Sequence, residues 1–260
     1  MNIVVLAKQV PDAEALIEIK GTGEKLEIEQ KFATSLFDEF ALEEALRIKE
    51  RLGGRVKVIT LGTGKATEVL RTGIAMGVDD VLLLDHEAFL GGDGYATALS
   101  LSRAIAREAC DIVLCGKQAV DDDQGEVGPM VAQFLGLPHV GSIVKLDIAD
   151  NKATAESLVE GGRVVAEVSL PAVFTTQKGL NEPRVPLIMG VMKAMKAQIP
   201  RLTPEDLGLG PDQIGLAGSK VRIRRYIAPK KRSLVQFITG DGPGAAVEAV
   251  RILMDVERVI

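Results

Sequence analysis

An α/β fold is expected: a mainly parallel open sheet with helices on both faces, an antiparallel extension and an extended C-terminal arm. Three observations predict it. Short apolar runs alternate with amphipathic segments over residues 2–135, in a β-α-β-α-β-α-β rhythm that builds parallel sheets covered on both faces. After Pro138 the pattern changes to alternating segments joined by tight turns, as in a meander. Beyond residue 200 the chain reads as an extended, partly basic tail with a final helix, so residues 1–200 and 201–260 are expected as two units.

Residues 2–8 (NIVVLAK) form the first strand, and a turn is expected at VPD, residues 10–12. Residues 17–28 alternate apolar and polar around Gly21 and Gly23, as a hairpin does. Phe37, Phe40, Ala41, Ala45 and Ile48 lie near helical spacing, which predicts a helix over 37–52 ended by Gly53 and Gly54. Glu43 and Glu44 are expected on its wet face. Residues 55–61, 80–85 and 111–115 are further strands. Helices are expected between them at 67–76, closed by Gly77, and at 95–108, opened by the GGDG run at 91–94. A helix over 130–135 follows. The meander comprises 142–148, 153–159 and 163–170, with turns at Asp150-Asn151 and Gly161-Gly162, and 171–176 (PAVFTT) is a short apolar strand. A short helix is expected near 190–197, a helix start at TPED (203–206) and a final helix at 244–257. Residues 217–232 hold seven basic residues and no acid.

Composition narrows the function. The chain has 260 residues, 47% hydrophobic and 26% charged, which is ordinary for a globular protein with a sizeable core. The net charge of −5 argues against general nucleic-acid binding. No apolar run approaches the roughly 18–20 residues that span a bilayer, and the N-terminal residues read as a strand rather than a signal peptide. A cytoplasmic protein without direct membrane insertion is expected. The two cysteines, Cys110 and Cys115, sit in apolar settings and read as buried small hydrophobes.

Catalytic equipment is scarce. The two histidines, His86 and His139, fit no metal spacing, and no catalytic or metal-binding residue is assigned. GTGKAT at 62–67 echoes a P-loop without its spacing, and no G-x-G-x-x-G follows the first strand. The informative stretch is GKQAVDDDQGEVGP at 116–129, which joins an apolar strand to a helix. Loops beyond the carboxyl ends of strands bind ligands in open α/β sheets, and helix N-termini there suit phosphate. Asp121, Asp122 and Asp123 make sense if some cap backbone N–H groups and others face ribose hydroxyls or a partner. A nucleotide gathered by the loops at 6–8, 61–63 and 116–127 is the remaining reading. Aromatic residues are 3% of the chain, so a complete flavin pocket would need another subunit.

GKQAVDDDQGEVGP closely resembles the nucleotide loop of electron transfer flavoprotein β subunits. LGTGKATEVLRTGIAMGVDD (61–80), LFDEFALEEALRIKE (36–50) and LNEPRVPLIMGVMKA (180–194) resemble further blocks of that family, in the family's order. The resemblance implies an adenine-nucleotide α-hydrolase-like fold, a nucleotide-binding domain over 1–200, and a 201–260 arm and helix packing on a partner α subunit. It implies an obligate heterodimer in which the α subunit holds the redox FAD and this chain buries AMP as a structural ligand. Electrons would pass from acyl-CoA dehydrogenase-type flavoenzymes, as in fatty acid oxidation, to a quinone oxidoreductase.

By position, the resemblance carries AMP contacts to Leu6, Ser35, Leu36, Phe37, Asp38 and Leu61. It also carries them to Gly116, Lys117, Gln118, Ala119, Val120, Asp121, Asp122, Asp123, Gln124, Gly125, Glu126 and Val127. Phe37 would also lie against the FAD isoalloxazine. The segment 183–195 is similar to the loop that docks on dehydrogenases, with Pro183, Arg184, Leu187, Ile188, Met189, Met192 and Lys193 as contacts and Ile188 as the aliphatic anchor. Spacing alone reads Leu187 to Met189 as core, and the resemblance reverses that. Ser35 and Leu36 stand where many members have Asn-Pro, and Ala13 where some have Tyr. Electron-bifurcating members, which hold a second FAD and use NADH, tend to have Gly at the position of Asp122. The carboxylate favours AMP, whereas residues 91–95 are more similar to the bifurcating members, so both readings stay open. A free-standing adenine-nucleotide-binding protein is the third reading, and it leaves the docking segment and tail without a use.

Overall fold

The computed structural model describes residues 1–229, 235 and 237–259. The first strand, β1 (Asn2–Leu6), is followed by β2 (Gln9–Pro11), the hairpin strands β3 (Ile17–Lys20) and β4 (Lys25–Ile28), and β5 (Phe32–Thr34). Helix α1 (Leu36–Leu52), β6 (Arg55–Leu61), α2 (Thr67–Met76), β7 (Asp80–Leu84), α3 (Gly94–Ile105), β8 (Ile112–Gly116) and α4 (Val127–Leu135) then alternate. Next come the meander strands β9 (His139–Ala149), β10 (Lys152–Val159) and β11 (Gly162–Ser169), with β12 (Ala172–Thr176) after them. The remaining elements are α5 (Ile188–Lys196), β13 (Arg201–Leu202), α6 (Gly215–Gly218) and α7 (Gly242–Arg251).

One nine-stranded sheet runs in the order β11-β10-β9-β12-β8-β1-β6-β7-β13. The strands from β9 to β13 in that order are parallel, and β10 and β11 add the antiparallel extension. The continuous apolar runs of β1, β7 and β8 follow from burial on both faces. On one face α1 and α2 pack through Leu42, Leu46, Leu70 and Ile74. On the other, α3 and α4 pack through Leu101, Ile105 and Val131. Helix α2 closes at Gly77, which takes a left-handed φ of 117° and donates back to the Gly73 and Ile74 carbonyls. The β9–β10 turn uses Asp150 and Asn151 at φ 48° and 60°, the pair of left-handed residues that a two-residue hairpin turn needs.

From β1 the chain moves outward to β6 and β7 with its helices on one face. It then crosses to β8, on the other side of β1, with its helices on the opposite face. The resulting switch point leaves a crevice at the carboxyl ends of β1 and β8.

The local pattern misread several features. The expected turn at residues 10–12 is part of a small antiparallel pair between β2 and β5. Glu43 and Glu44 are not on a wet face but 3% and 8% exposed, because later segments of the chain cover that side of α1. The final helix starts at Gly242 and passes into a π-turn at 252–256. Past residue 200 the chain still packs on the body: β13 extends the sheet beside β7, and Leu207, Leu209 and Ile214 complete the core under α3. The tail leaves at Asp93, the N-cap of α3. Its carboxylate accepts from Ala96 N (3.0 Å), Lys220 N (2.6 Å) and Val221 N (2.9 Å). Burial works against that charge, but these bonds hold the carboxyl below its usual range. The basic positions 230–232 lie outside the described residues.

Phe174 of β12 is fully buried between the meander and β8. Phe174→Ala is expected to cost about 3–5 kcal/mol, read as a lower urea midpoint.

Candidate functional site

A cavity of about 280 Å³ occupies the switch-point crevice. Its apolar floor comes from Leu6, Ile59, Leu61 and Leu101, and the 116–128 loop forms one wall. The first-turn N–H groups of α4, at Val127 and Gly128, have no intrahelical acceptors, so the positive end of that helix opens on the cavity. The start of α3, through Gly94 and Thr97, faces it from the far side. Gly128 is required for close packing, since a Cβ there would stand 2.4 Å from Thr175 Cγ2.

Asp38 organises the crevice from below. Its Oδ1 accepts from Gly116 N (2.7 Å) and its Oδ2 from Lys8 N (2.8 Å), tying the ends of β8 and β1 to the first turn of α1. Burial pushes its carboxyl up from 3.8 to about 7, against the opposing pull of these two N–H groups. Gly116 must be glycine, because a Cβ would lie 2.6 Å from Asp38 Oδ1 and 2.7 Å from Phe37 Cβ. Above this tie, Lys8 Nζ bridges Asp121 (2.8 Å) and Asp122 (3.0 Å) across the mouth of the cavity. Burial disfavours the Lys8 ammonium, but the two carboxylates outweigh it and hold its pKa above the ordinary lysine value. The loop turns at Asp123 (φ 53°) and Gly125 (φ 66°), with Gln118 Nε2 donating to Asp123 Oδ1 at 2.7 Å.

Among the residues singled out in the sequence, Leu6, Asp38, Leu61, Gly116, Lys117, Gln118, Ala119, Asp122, Gln124, Gly125, Glu126 and Val127 all line the cavity. Ser35, Leu36, Phe37, Val120, Asp121 and Asp123 lie outside its lining. Asp121 acts through Lys8, and Val120 is exposed. Ser35 is fully buried, and its Oγ has no hydrogen-bond partner. Phe37 is half-buried, with Lys117 Nζ 5.1 Å from its ring centroid. Phe89, Leu90 and Thr97 also line the cavity and were not singled out. The GGDG run at 91–94 was the signal for them, since it opens the helix that supplies this wall.

The cradle suits an adenine mononucleotide. An apolar floor can take a planar base, and the volume lies near the lower end of the roughly 300–1,000 Å³ of small-ligand sites. Close glycines and the uncapped N-terminus of α4 supply backbone donors that suit a phosphate.

The second grouping lies on the α2 side. Helix α5 rests on α2 through Gly190, where a Cβ would meet Ala75 O at 2.2 Å, and through buried Ala194, whose carbonyl accepts from Arg71. Leu187, Ile188, Met189 and Met192 point outward at 78%, 80%, 83% and 54% exposure. The core placement that spacing alone suggests is therefore wrong, because the small residues of α5, not the large ones, face the body. Pro183 and Arg184 are half-buried and Lys193 is exposed. No helix of the described residues is long and apolar enough to cross a membrane.

Fold and crevice together define an α/β protein with a cleft at its switch point and an exposed apolar helix. Residues 26–207 match the family described as Electron transfer flavoprotein domain. The chain is 39% identical over 245 residues to Electron transfer flavoprotein subunit beta of Thermoanaerobacterium thermosaccharolyticum, covering 93% of each chain. It is 37% identical over 272 residues to the subunit of that name from Megasphaera elsdenii, covering 100% of each. It is also 38% identical over 242 residues to Caffeyl-CoA reductase-Etf complex subunit CarD of Acetobacterium woodii, covering 92% of each. The chain belongs to the electron transfer flavoprotein β-subunit family, a family of electron-carrier flavoproteins.

Asp38 gives the site a pH signature. Its folded pKa of about 7 exceeds the ordinary 3.8, so the folded chain binds more protons than the unfolded chain between those values. Stability from this group is fully present below the lower value and is lost as pH rises through the upper one. Relative to Asp38→Asn, the natural protein is expected to lose stability across this window and to show a constant difference above about pH 8. Urea unfolding of both proteins against pH checks this. A difference independent of pH would mean that Asp38 titrates alike in both states.

Proposed function

We propose that this chain is the β subunit of a heterodimeric electron transfer flavoprotein, and that it holds AMP as a structural ligand in the switch-point crevice. The observation that carries this reading is the crevice itself: one cavity of about 280 Å³ with an apolar floor and the N-terminus of α4, which no side chain caps, opening on it, which suits a single mononucleotide. Backbone groups of the 116–127 loop and Leu6 and Leu61 hold it, Asp38 fixes the loop ends, and Lys8 with Asp121 and Asp122 closes the mouth.

The redox chemistry belongs to an FAD carried mainly by a partner α subunit. Phe37, half-buried against Gly116, supplies an apolar face to that flavin, where excluding water raises the influence of nearby charge on its potential. Helix α7, with Val247 and Val250 exposed and no buried residue, packs on the α subunit. The apolar face of α5 docks transiently on acyl-CoA dehydrogenase-type flavoenzymes, with Ile188 as anchor. Exposed apolar side chains gathered on one helix face mark a surface for association with another protein. Electrons leave for a quinone oxidoreductase.

A second reading rests on Gly91, Gly92 and Gly94, which line the cavity and leave its α3 side open. In that reading the crevice holds a second FAD and the complex is an electron-bifurcating, NADH-using one. Denaturing the complex with its α subunit and measuring released nucleotides separates the two. One FAD and one AMP per heterodimer is the expected result. Two FAD and no AMP would overturn it in favour of bifurcation.

A further inference from the structure

We infer that Arg184 is a positioning residue: clamped by the buried Glu43 and by Glu50 of α1, it holds the chain that leads into α5, so that the apolar face of α5 is presented ready-formed to its protein partner. This rests on the reading of that face as a docking surface.

The geometry is that of a latch. Glu43 is 3% exposed on α1. Its Oε2 accepts from Arg184 N (3.1 Å) and Arg184 Nε (2.8 Å), and its Oε1 accepts from Arg184 Nη2 (3.2 Å) and Arg47 Nε (2.7 Å). Glu50 takes the other side of the guanidinium, through Nη1 at 2.5 Å and Nη2 at 3.2 Å. The preceding residues are held to the same helix. Asn181 Nδ2 donates to Phe40 O and to Glu44 Oε2, both at 3.0 Å, and Arg47 Nη2 donates to Glu182 O at 3.3 Å. Burial disfavours the Glu43 carboxylate, but Arg184 and Arg47 outweigh it and keep the carboxyl below its usual range, so the clamp is ionic at neutral pH.

These contacts use the polar groups of Arg184 inward, which leaves its guanidinium poorly placed to meet a partner. The exposed stretch begins one residue later, at Val185 with 86% exposure. The 181–187 connection has no helix or strand of its own, so side-chain bonds to α1 are what order it. Removing the arginine would leave Glu43 buried with half its partners and free the lead into α5. The docking-competent fraction would fall, and apparent affinity falls by the same factor.

The test uses the complete complex with its flavoprotein partner, reduced by an acyl-CoA dehydrogenase and a saturated acyl-CoA. Arg184→Gln is expected to raise the KM for the complex about tenfold at unchanged kcat, by the loss of competent fraction. It should also speed amide hydrogen exchange across residues 183–196, with nucleotide and flavin content unchanged. Arg184→Lys should restore part of both, since a lysine keeps the charge but not the forked geometry. A higher KM with unchanged exchange would make Arg184 a direct contact and overturn the latch, as would no change in either. Ile188→Asp separates the two ideas. If it raises KM while Arg184→Gln does not, the latch alone is overturned. If it leaves KM unchanged, the docking reading falls and the latch inference falls with it.

Discussion

Three carboxylates of α1, Asp38, Glu43 and Glu44, are buried, and each is bonded to a segment remote in sequence. Buried carboxylates are costly unless every oxygen finds a donor. Here the donors are the backbone at Lys8 and Gly116, the guanidinium of Arg184 and the amide of Asn181. The requirement that these charges be satisfied fixes where the loops after β1 and β8 sit, and where the chain returns over α1 before α5. One helix thus anchors both the loop ends at the crevice and the chain that leads into α5. The crevice and the α5 segment share one support in α1.

The crevice follows from topology. A parallel sheet whose chain runs one way from β1 and then crosses back to β8 must leave its strand-end loops splayed at that point. Glycines then decide how close the walls come. Gly116 lets the β8 end meet α1, and Gly128 lets α4 sit against β12. The acidic loop would repel a phosphate if its charges were free. Lys8 takes up Asp121 and Asp122, and the N-terminus of α4, which no side chain caps, opens on the same cavity.

The exposed face of α5 has a different origin. Its small residues, Gly190 and Ala194, are spent on close packing against α2, so its large apolar side chains have no room inward. The helix is held by close backbone approach at Gly190 and by the burial of Ala194 alone among its side chains. Its apolar surface is therefore free for association without weakening the fold. Helix α7 shows the same imbalance more strongly, since none of its residues is buried within the chain.

Much of this was legible in residue order. The parallel core, the meander, the glycine stops and the strand-end loop at 116–127 follow from local periodicity and turn chemistry, which depend on neighbouring residues. Family-like blocks pointed to the same crevice and to the α5 segment. What local pattern could not give was burial by distant chain. Glu43 and Glu44 look like solvent-facing charges until residues 181–184 fold over them. Residues 187–189 look like core until Gly190 proves to be the packed one. The β2–β5 pair, the β13 edge and the α3 wall of the cavity depend on contacts between segments far apart in sequence. The sequence by itself determined the class of fold, the family and the loop that lines the cleft, because these are written in short-range periodicity and motif. Only the tertiary structure decided which charges are buried and which apolar residues are exposed, because burial is a property of what other parts of the chain cover.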